Sequence, residues 1–366
     1  MSSGGFLERA EPAPHALCAP VSVTIVTFNS ARHIAQCLKS VLEQDYPRKE
    51  VIVVDNASSD DTRAILRNFE GRMRVVFNRE NIGFAAGQNQ AIALSESEWV
   101  LVLNPDVRLM PDFISMIVAS AEANPSAGSV CGKLLRMSAD GEVPKERLFD
   151  STGIYFTPSL RHLDRGSQQI DDGRYGQFEH VFGASGAAAL YSKRMIDDIS
   201  VSGELFDSDF FAYREDADLA WRAQLLGWKC LYTPLAVGYH VRNVLPANRR
   251  VLAPVLNMHS VKNRWLMRIK NMTPGVYKQC WLPATMRDLV VIAGCLLREF
   301  TSLRAFPFVV RNARRFLEKR RQIMARRRAD DTYMAAWFSY KPVSYPAPQV
   351  ASKCAENGRM ATRSWR

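Results

Sequence analysis

Residues 21–28 read VSVTIVTF, an almost unbroken run of β-branched and other apolar residues that predicts a buried strand. Two further apolar runs, VIVV at 51–54 and WVLVL at 99–103, follow after segments with helical periodicity. Short strands separated by helices are typical of a parallel sheet, because parallel strands need a long crossover connection. We therefore predict an α/β domain with a mostly parallel central sheet flanked by helices.

Polar residues follow these strands at the place where α/β proteins usually bind ligands. Thr27 and Asn29 end the first strand, Asp55 ends the second, and Asn104 and Asp106 follow WVLVL. Ligands of such sheets bind beyond the carboxyl ends of the strands, so we expect these side chains to converge on one crevice. An alternative for Asn29 is that it only caps the next helix.

The composition is that of an ordinary globular protein, with 47% hydrophobic and 23% charged residues in a chain of 366. This length suggests two domains, or one large domain with an appendage. Seven cysteines without a CxxC pair argue against a disulfide framework and a zinc site, and favour a reducing compartment. Residues 1–19 lack a basic region followed by an apolar run, so we expect a flexible leader and not a secretory signal.

The charge is unevenly distributed along the chain. From residue 242 onward there are 25 Lys and Arg against 6 Asp and Glu, whereas the preceding part has 23 against 31. Such asymmetry indicates an anionic partner for the basic part, although a solvated basic helix is an alternative. We accordingly divide the chain into a leader (1–19), an α/β domain (20–250), a helical basic extension (251–329) and a disordered tail (330–366).

Two segments of the extension bear on membrane association. Residues 311–328 read RNARRFLEKRRQIMARRR, a basic amphipathic pattern that predicts contact with an anionic membrane surface. Residues 289–297, LVVIAGCLL, form an apolar run that is too short to span a bilayer. We therefore expect a peripheral protein at the cytoplasmic face of the plasma membrane, with its extension on the lipid.

The order of several motifs resembles that of the family 2 glycosyltransferases over roughly residues 20–270. The motifs are VSVTIVTFNS, VIVVDNASSDDT, NIGFAAGQNQAI, WVLVLNPDV, FFAYREDADLAWRAQLLGWK and VGYHVRN. The pattern is most similar to that of rhamnosyltransferase-like enzymes of cell-surface polysaccharide assembly. The resemblance implies a fold of the GT-A type, a nucleotide-sugar donor and a divalent cation, Mg²⁺ or Mn²⁺.

The resemblance also implies where the cation binds. Negative charge builds up on the leaving diphosphate during glycosyl transfer, and a divalent cation with hard oxygen ligands can hold it. By similarity, Asp106 of the Asn-Pro-Asp motif binds the metal and His240 is a further ligand. Asn104 departs from the acidic form of the motif, and we expect it to hydrogen-bond the ribose or a metal-bound water.

A general base is needed because the attacking hydroxyl of the acceptor has a very high pKa. The resemblance places this base in the Glu215–Asp216 pair, and we predict that Asp216 is the base. Glu215 is the alternative, as a helper or an acceptor ligand. Acidic residues are also favoured at a helix N-terminus by the helix dipole, which is the structural alternative. One base acting in a direct displacement predicts inversion at the anomeric carbon.

The same resemblance implies that the Asp55 carboxylate accepts a hydrogen bond from the ring N–H of uracil or thymine, which suits a group that only accepts. The remaining residues predicted to bind the nucleotide border the base or lie in a loop that closes over it; they are Thr27, Asn29, Asn81, Gly83 and Asn89. For Gly83, a plain turn is an equally good interpretation.

The preferred donor is dTDP-rhamnose, from which L-rhamnose would pass to a saccharide or lipid-linked acceptor. Galactofuranosyl, mannosyl or glucosyl transfer within the same family are the alternatives. A non-catalytic protein that binds sugar or nucleic acid is the alternative of another class, and we expect no nucleic-acid partner. An NAD-dependent dehydrogenase is set aside because the turn after the first strand, TFNSAR, lacks the required glycines.

Overall fold

The computed structural model describes residues 18–242, 254–339 and 345–346. Within these residues the strands are β1 (Val21–Thr27), β2 (Lys49–Asp55), β3 (Arg74–Phe77), β4 (Trp99–Leu103), β5 (Val107–Leu109), β6 (Ala127–Arg136), β7 (Phe149–Ser151), β8 (Ile154–Phe156), β9 (His162–Asp164), β10 (Glu179–Val181), β11 (Ala188–Ser192), β12 (Lys229–His240) and β13 (Tyr345–Pro346). The helices are α1 (Ile34–Leu42), α2 (Thr62–Arg67), α3 (Phe84–Ile92), α4 (Phe113–Glu122), α5 (Lys193–Ile199), α6 (Glu215–Leu225), α7 (Pro254–Asn271), α8 (Pro274–Leu297), α9 (Ala305–Arg311), α10 (Ala313–Ala325) and α11 (Asp331–Ala336).

The predicted parallel sheet is confirmed in the N-terminal half. Strand β1 pairs in parallel with β2 on one side and with β4 on the other, and β2 pairs in parallel with β3. Thr27 lies opposite Asp55 in this register, so the polar ends of the two strands lie side by side. Helix α1 begins at Ile34, later than the predicted start after Asn29. Asn29 has a positive φ of 50° and accepts a hydrogen bond from the Ser59 N–H, so it does not cap α1.

The second half of the sheet is mixed. Strand β11 lies antiparallel between β4 and β6, and β12 runs parallel to β6. The residues of β11 are buried on both faces of the sheet, and such a strand shows no alternation that could distinguish it from a buried helix.

Helices α7 to α11 pack on the α/β domain. Phe316 and Ile323 of α10 are fully buried in the same core cluster as Phe156 and Trp221. The apolar face of α10 therefore contacts protein, which corrects the prediction that this face lies on a membrane. The prediction of disorder from residue 330 is also wrong for residues 330–339. Helix α11 lies in this segment, and the ring of Phe338 packs on that of Trp221 with 4.6 Å between the ring centroids.

Buried ion pairs fix the helical extension to the domain. Lys319 of α10 lies 2.7 Å from an oxygen of Asp207, and Lys270 of α7 lies 2.9 Å from an oxygen of Asp218. Although burial raises the pKa of Asp207, Lys270 and Lys319 together lower it well below its ordinary value. Removing one partner of such a pair leaves an uncompensated buried charge, so these contacts make the position of the extension specific.

Candidate active site

The two predicted metal ligands come together at the edge of the sheet where β5 and β12 pair. Val107 lies opposite His240 in this antiparallel pair, and the Val241 N–H donates to the Asp106 carbonyl oxygen over 3.1 Å. The Nε2 atom of His240 consequently lies 3.3 Å from Oδ1 of Asp106. Pairing of β5 with β12 thus brings together Asp106 and His240, the two predicted metal ligands, although they are far apart in the sequence.

A fully buried carboxylate, Asp150, lies behind His240. Its Oδ2 atom is 2.8 Å from Nδ1 of His240, and its Oδ1 atom is 2.8 Å from Nε of Arg242. Arg242 also donates to Asp164 over 2.6 Å. Burial alone lowers the pKa of His240, but Asp150 and Asp106 outweigh it and raise this pKa to about 10. Asp150 therefore holds the ring so that Nε2 faces Asp106.

This arrangement fits a divalent cation. Oδ1 of Asp106 is buried and has no hydrogen-bond donor in bonding geometry, although Nε2 of His240 is near. A histidine whose other ring nitrogen is held by a carboxylate is the common form of a metal-ligating histidine. No cluster of three or more His, Cys, Asp or Glu side chains suited to a metal occurs in the described residues. Phosphate oxygens and water would therefore have to complete the coordination, as is usual for Mg²⁺.

The predicted base lies at the start of α6, held by backbone groups. Oδ2 of Asp216 accepts the Gly186 N–H over 3.0 Å, and Oδ1 accepts the Ala217 N–H over 2.7 Å. The neighbouring Ala187 carbonyl accepts the Asn104 N–H over 2.9 Å, so the Asp216 carboxylate lies beside the end of β4. The sheet thereby brings Asp216 and the Asn-Pro-Asp motif to one edge.

Asp216 and Glu215 differ in exposure. Asp216 is half-buried, whereas Glu215 is 8% exposed and its Oε2 atom has no hydrogen-bond partner. Burial, and then the charge of Asp216, raises the pKa of Glu215 to about 8. Burial also raises the pKa of Asp216, but the N–H groups of Gly186 and Ala217 counteract it by stabilising the carboxylate. Asp216 is therefore the more accessible and more readily ionised of the two.

Glu215→Gln is expected to change the pH dependence of stability. A folded-state pKa of about 8, above the ordinary 4.5, means that ionisation of Glu215 opposes folding. The wild-type protein should thus lose stability relative to the variant as the pH rises from about 5 to 8. Thermal unfolding at both pH values measures this difference, with exposed Glu318→Gln as the control. If wild type, Glu215→Gln and Glu318→Gln lost the same amount of stability between these pH values, the raised pKa of Glu215 would be contradicted.

The loop before α6 is strained and is held by the helical extension. Phe211, Tyr213 and Arg214 have positive φ angles of 64°, 70° and 73°. Such backbone is costly and persists only where the surroundings impose it. Nδ2 of fully buried Asn263, in α7, lies 2.7–2.9 Å from three carbonyl oxygens within residues 210–213. Sequence reasoning missed Asn263, because nothing in a helical pattern indicates its distant partners.

On the opposite side of the crevice, Asp55 is fully buried. Its Oδ1 atom accepts from the Thr27 hydroxyl over 3.0 Å, and its Oδ2 atom accepts from Arg63 Nε over 2.6 Å and the Ser58 N–H over 3.1 Å. Oδ1 has a further lone pair, so the contact with a nucleotide base stays a prediction. The role of Arg63 was not foreseen.

The loop predicted to close over the nucleotide has a different set of contacts. Gly83 has a φ of 87°, and a Cβ atom there would lie 2.6 Å from the Phe211 ring. The close approach that requires glycine is thus to Phe211. Asn89 uses both polar groups of its side chain on the Phe206 backbone, so it supports the neighbouring loop, and its contact with the nucleotide stays a prediction. Asn81 accepts the Gly83 N–H over 2.9 Å and shapes the turn.

Asp150, Arg242 and Asp164 were not foreseen as part of the site. Asp150 and Asp164 lie in the short strands β7 and β9, whose sequence shows no periodicity, and their contacts with residues 240–242 are long-range. The only available signal was the spacing of His240 and Arg242, since residues two apart in an extended segment share a face.

The chain is similar in sequence to known proteins. Residues 22–200 match the family described as Glycosyl transferase family 2. The chain is 28% identical over 240 residues to N-acetylglucosaminyl-diphospho-decaprenol L-rhamnosyltransferase of Mycobacterium tuberculosis, covering 60% of this chain and 75% of that protein. It is 23% identical over 219 residues to poly-beta-1,6-N-acetyl-D-glucosamine synthase of Staphylococcus epidermidis, covering 59% of this chain and 48%, about half, of that protein.

The fold is shared with a solved glycosyltransferase. The structure of GalNAc-T7 with UDP, GalNAc and Mn²⁺ aligns with a TM-score of 0.55 at 11% identity, covering 70% of this chain and 48% of that one. The mixed but mostly parallel sheet, its helices and the helical C-terminal region thus form a GT-A architecture. The family match over residues 22–200, together with the relatives and the fold, identifies a family 2 glycosyltransferase domain in this chain.

Proposed function

We propose that the protein is a metal-dependent inverting glycosyltransferase that moves a sugar from a nucleotide-sugar donor to a hydroxyl of a saccharide or lipid-linked acceptor. The observation that carries this proposal is the meeting of Asp106, His240 and Asp216 at one edge of the sheet. Cell-surface polysaccharide assembly at the cytoplasmic face of the membrane is the proposed setting, in keeping with the names of the two relatives.

Each residue has a chemical task in this proposal. Asp106 and His240 would hold Mg²⁺ or Mn²⁺, which supplies positive charge for the leaving diphosphate. Asp150 keeps His240 in the orientation in which Nε2 faces Asp106, and Arg242 balances the charge of Asp150 and Asp164. Asn104 lies beside Asp106 and is proposed to bond the ribose or a metal-bound water.

Asp216 accepts the proton of the acceptor hydroxyl as that oxygen forms a bond to the anomeric carbon. The bond between this carbon and the phosphate oxygen breaks, and the electron pair leaves with the nucleoside diphosphate. Attack opposite to the leaving group in one step inverts the anomeric centre. The backbone N–H groups of Gly186 and Ala217 hold the Asp216 carboxylate in place, so no second acidic side chain is needed to orient it.

L-rhamnose from dTDP-rhamnose is the donor that we propose. The motif pattern supports it, as does the relative of Mycobacterium tuberculosis, which is named as an L-rhamnosyltransferase. Galactofuranosyl, mannosyl and glucosyl donors are the competing choices, since the residues at the sheet edge would treat any nucleoside diphosphate alike.

The test is a binding and hydrolysis panel of nucleotide sugars with Mg²⁺, Mn²⁺ or EDTA. We expect tight binding of dTDP-rhamnose that depends on the metal, and slow release of dTDP without acceptor. If the protein prefers another nucleotide sugar, the proposed donor is wrong but the proposed reaction, glycosyl transfer, still stands. If no nucleotide sugar binds under any metal condition, the transferase proposal fails and a non-catalytic role is favoured.

A further inference from the structure

Helix α8 presents an unusually apolar surface to the outside of the protein. Among the described residues it is the one helix that is long and apolar enough to cross a membrane by length and composition. Only 22% of its most apolar stretch is buried. A core helix of a soluble protein would be mostly buried, so this exposed surface needs another explanation.

The exposed positions of α8 between residues 281 and 297 carry no charge. We call this surface the α8 face; its large side chains, each 50–76% exposed, are Trp281, Leu282, Met286, Leu289, Val290, Leu296 and Leu297. At about 1.5 Å per residue the face is about 24 Å long. Exposed Phe300 and Val310 follow it in the next segments.

The opposite side of α8 is fixed to the protein by charged groups. Asp288 is 8% exposed and lies 2.8 Å from Arg264 and 2.6 Å from Arg268, both in α7. Cys280 and Cys295 are buried on the same side. If α8 crossed a bilayer, this ion-paired cluster would lie at the depth of the hydrocarbon, where charges are costly. The helix is therefore suited to lie in the plane of the membrane surface.

Positive charge borders the α8 face. Lys278 precedes it, and Arg298, Arg304 and Arg311 follow it, all four being exposed. An apolar stripe with cationic ends complements an anionic lipid surface, whose headgroups attract Lys and Arg while its acyl region accepts apolar side chains. A protein partner would need negative charge placed opposite these four cations, whereas an anionic lipid surface carries negative charge over its whole area.

We propose that the α8 face docks the enzyme on an anionic lipid bilayer, with α8 parallel to the membrane plane. This moves the membrane contact from α10, whose Phe316 and Ile323 side chains are buried, to α8. The proposal rests on the proposed function for its lipid-linked acceptor, but the lipid contact can be measured without donor or acceptor.

The experiment is flotation of the full chain with vesicles of phosphatidylcholine alone or mixed equally with phosphatidylglycerol. Wild-type protein should float with the anionic vesicles and be extracted by alkaline carbonate. Leu289→Ser/Leu296→Ser should weaken binding at least about tenfold, because two apolar side chains leave the acyl region. Ile170→Ser/Leu235→Ser, which alters side chains of similar exposure elsewhere, should bind like wild type. Arg298→Gln/Arg311→Gln should reduce the preference for anionic vesicles.

Three results would overturn the proposal. Unchanged flotation of the Leu289→Ser/Leu296→Ser variant would mean that another surface binds lipid. Resistance of wild type to carbonate would mean that α8 crosses the bilayer. Lipid-free dimers that dissociate in this variant would assign the face to a second copy of the chain. Donor binding in buffer is expected to be unchanged in these variants, so a failed donor panel beside the expected flotation pattern would refute only the proposed function.

Discussion

Asp216→Asn is expected to lower kcat of sugar transfer by about 10²–10⁴, the range typical of removing a general base. The amide is nearly isosteric with the carboxylate and can still accept one of the two N–H groups that hold it, from Gly186 or Ala217. It cannot take up the proton of the acceptor hydroxyl. Binding of the nucleotide sugar should therefore remain close to that of wild type, which separates a chemical defect from a folding defect.

The pH profile gives an independent view of the same residue. The pKa of Asp216 is raised by burial above its ordinary 3.8. Since the base must be ionised, wild-type kcat should fall on acidification at a higher pH than an ordinary aspartate would give, and Asp216→Asn should lack this limb. Exposed Asp197→Asn serves as the control. A fully active Asp216→Asn together with an inactive Glu215→Gln would assign the base to Glu215.

Asp106→Asn is expected to have the second largest effect, a loss of about 10²–10³ in kcat/KM, because several kcal/mol of charge stabilisation depend on the cation. A neutral amide in place of the carboxylate leaves His240 without an anionic neighbour at Nε2. Titration of Mn²⁺ followed by electron paramagnetic resonance, in the presence of nucleoside diphosphate, should show weakened metal binding without any need for turnover.

Asp112→Asn is the matched control for this variant, because Asp112 is exposed and lies outside the site. It should bind Mn²⁺ and nucleotide like wild type. If Asp106→Asn binds Mn²⁺ as tightly as wild type, the cation is held elsewhere and the assignment of Asp106 is wrong. Loss of metal binding in both variants would indicate a general disturbance of the fold.

The sequence was most informative where contacts follow from strand order. The runs at β1, β2 and β4 predicted the parallel sheet, and the polar residues after them are at its edge. The Asn-Pro-Asp motif and the Glu215–Asp216 pair were recognisable through their resemblance to motifs of the family. The structure adds that Gly186, in a segment of small residues, supplies the N–H that holds Asp216.

The sequence was least informative where one residue is defined by a distant partner. Asp150 supports His240 from the short strand β7, and Asn263 supports the strained loop from the helical extension. The amphipathic pattern of α10 indicated an apolar face correctly, but a pattern cannot tell whether lipid or protein covers that face. Packing of Phe316 into the core decided it, and this depends on the whole tertiary structure.

The contacts of α7 and α10 with the segment that precedes α6 restrict how this enzyme can be recombined with its relatives. Asn263 holds the backbone just before Glu215, and Lys319 neutralises Asp207 inside the protein. A chimaera that joined residues 18–242 to the C-terminal part of another glycosyltransferase would lose both supports at once. A chimaera made to change the acceptor would therefore have to keep the residues of α7 and α10 that face the rest of the protein. Only the outward-facing residues of these two helices could be exchanged.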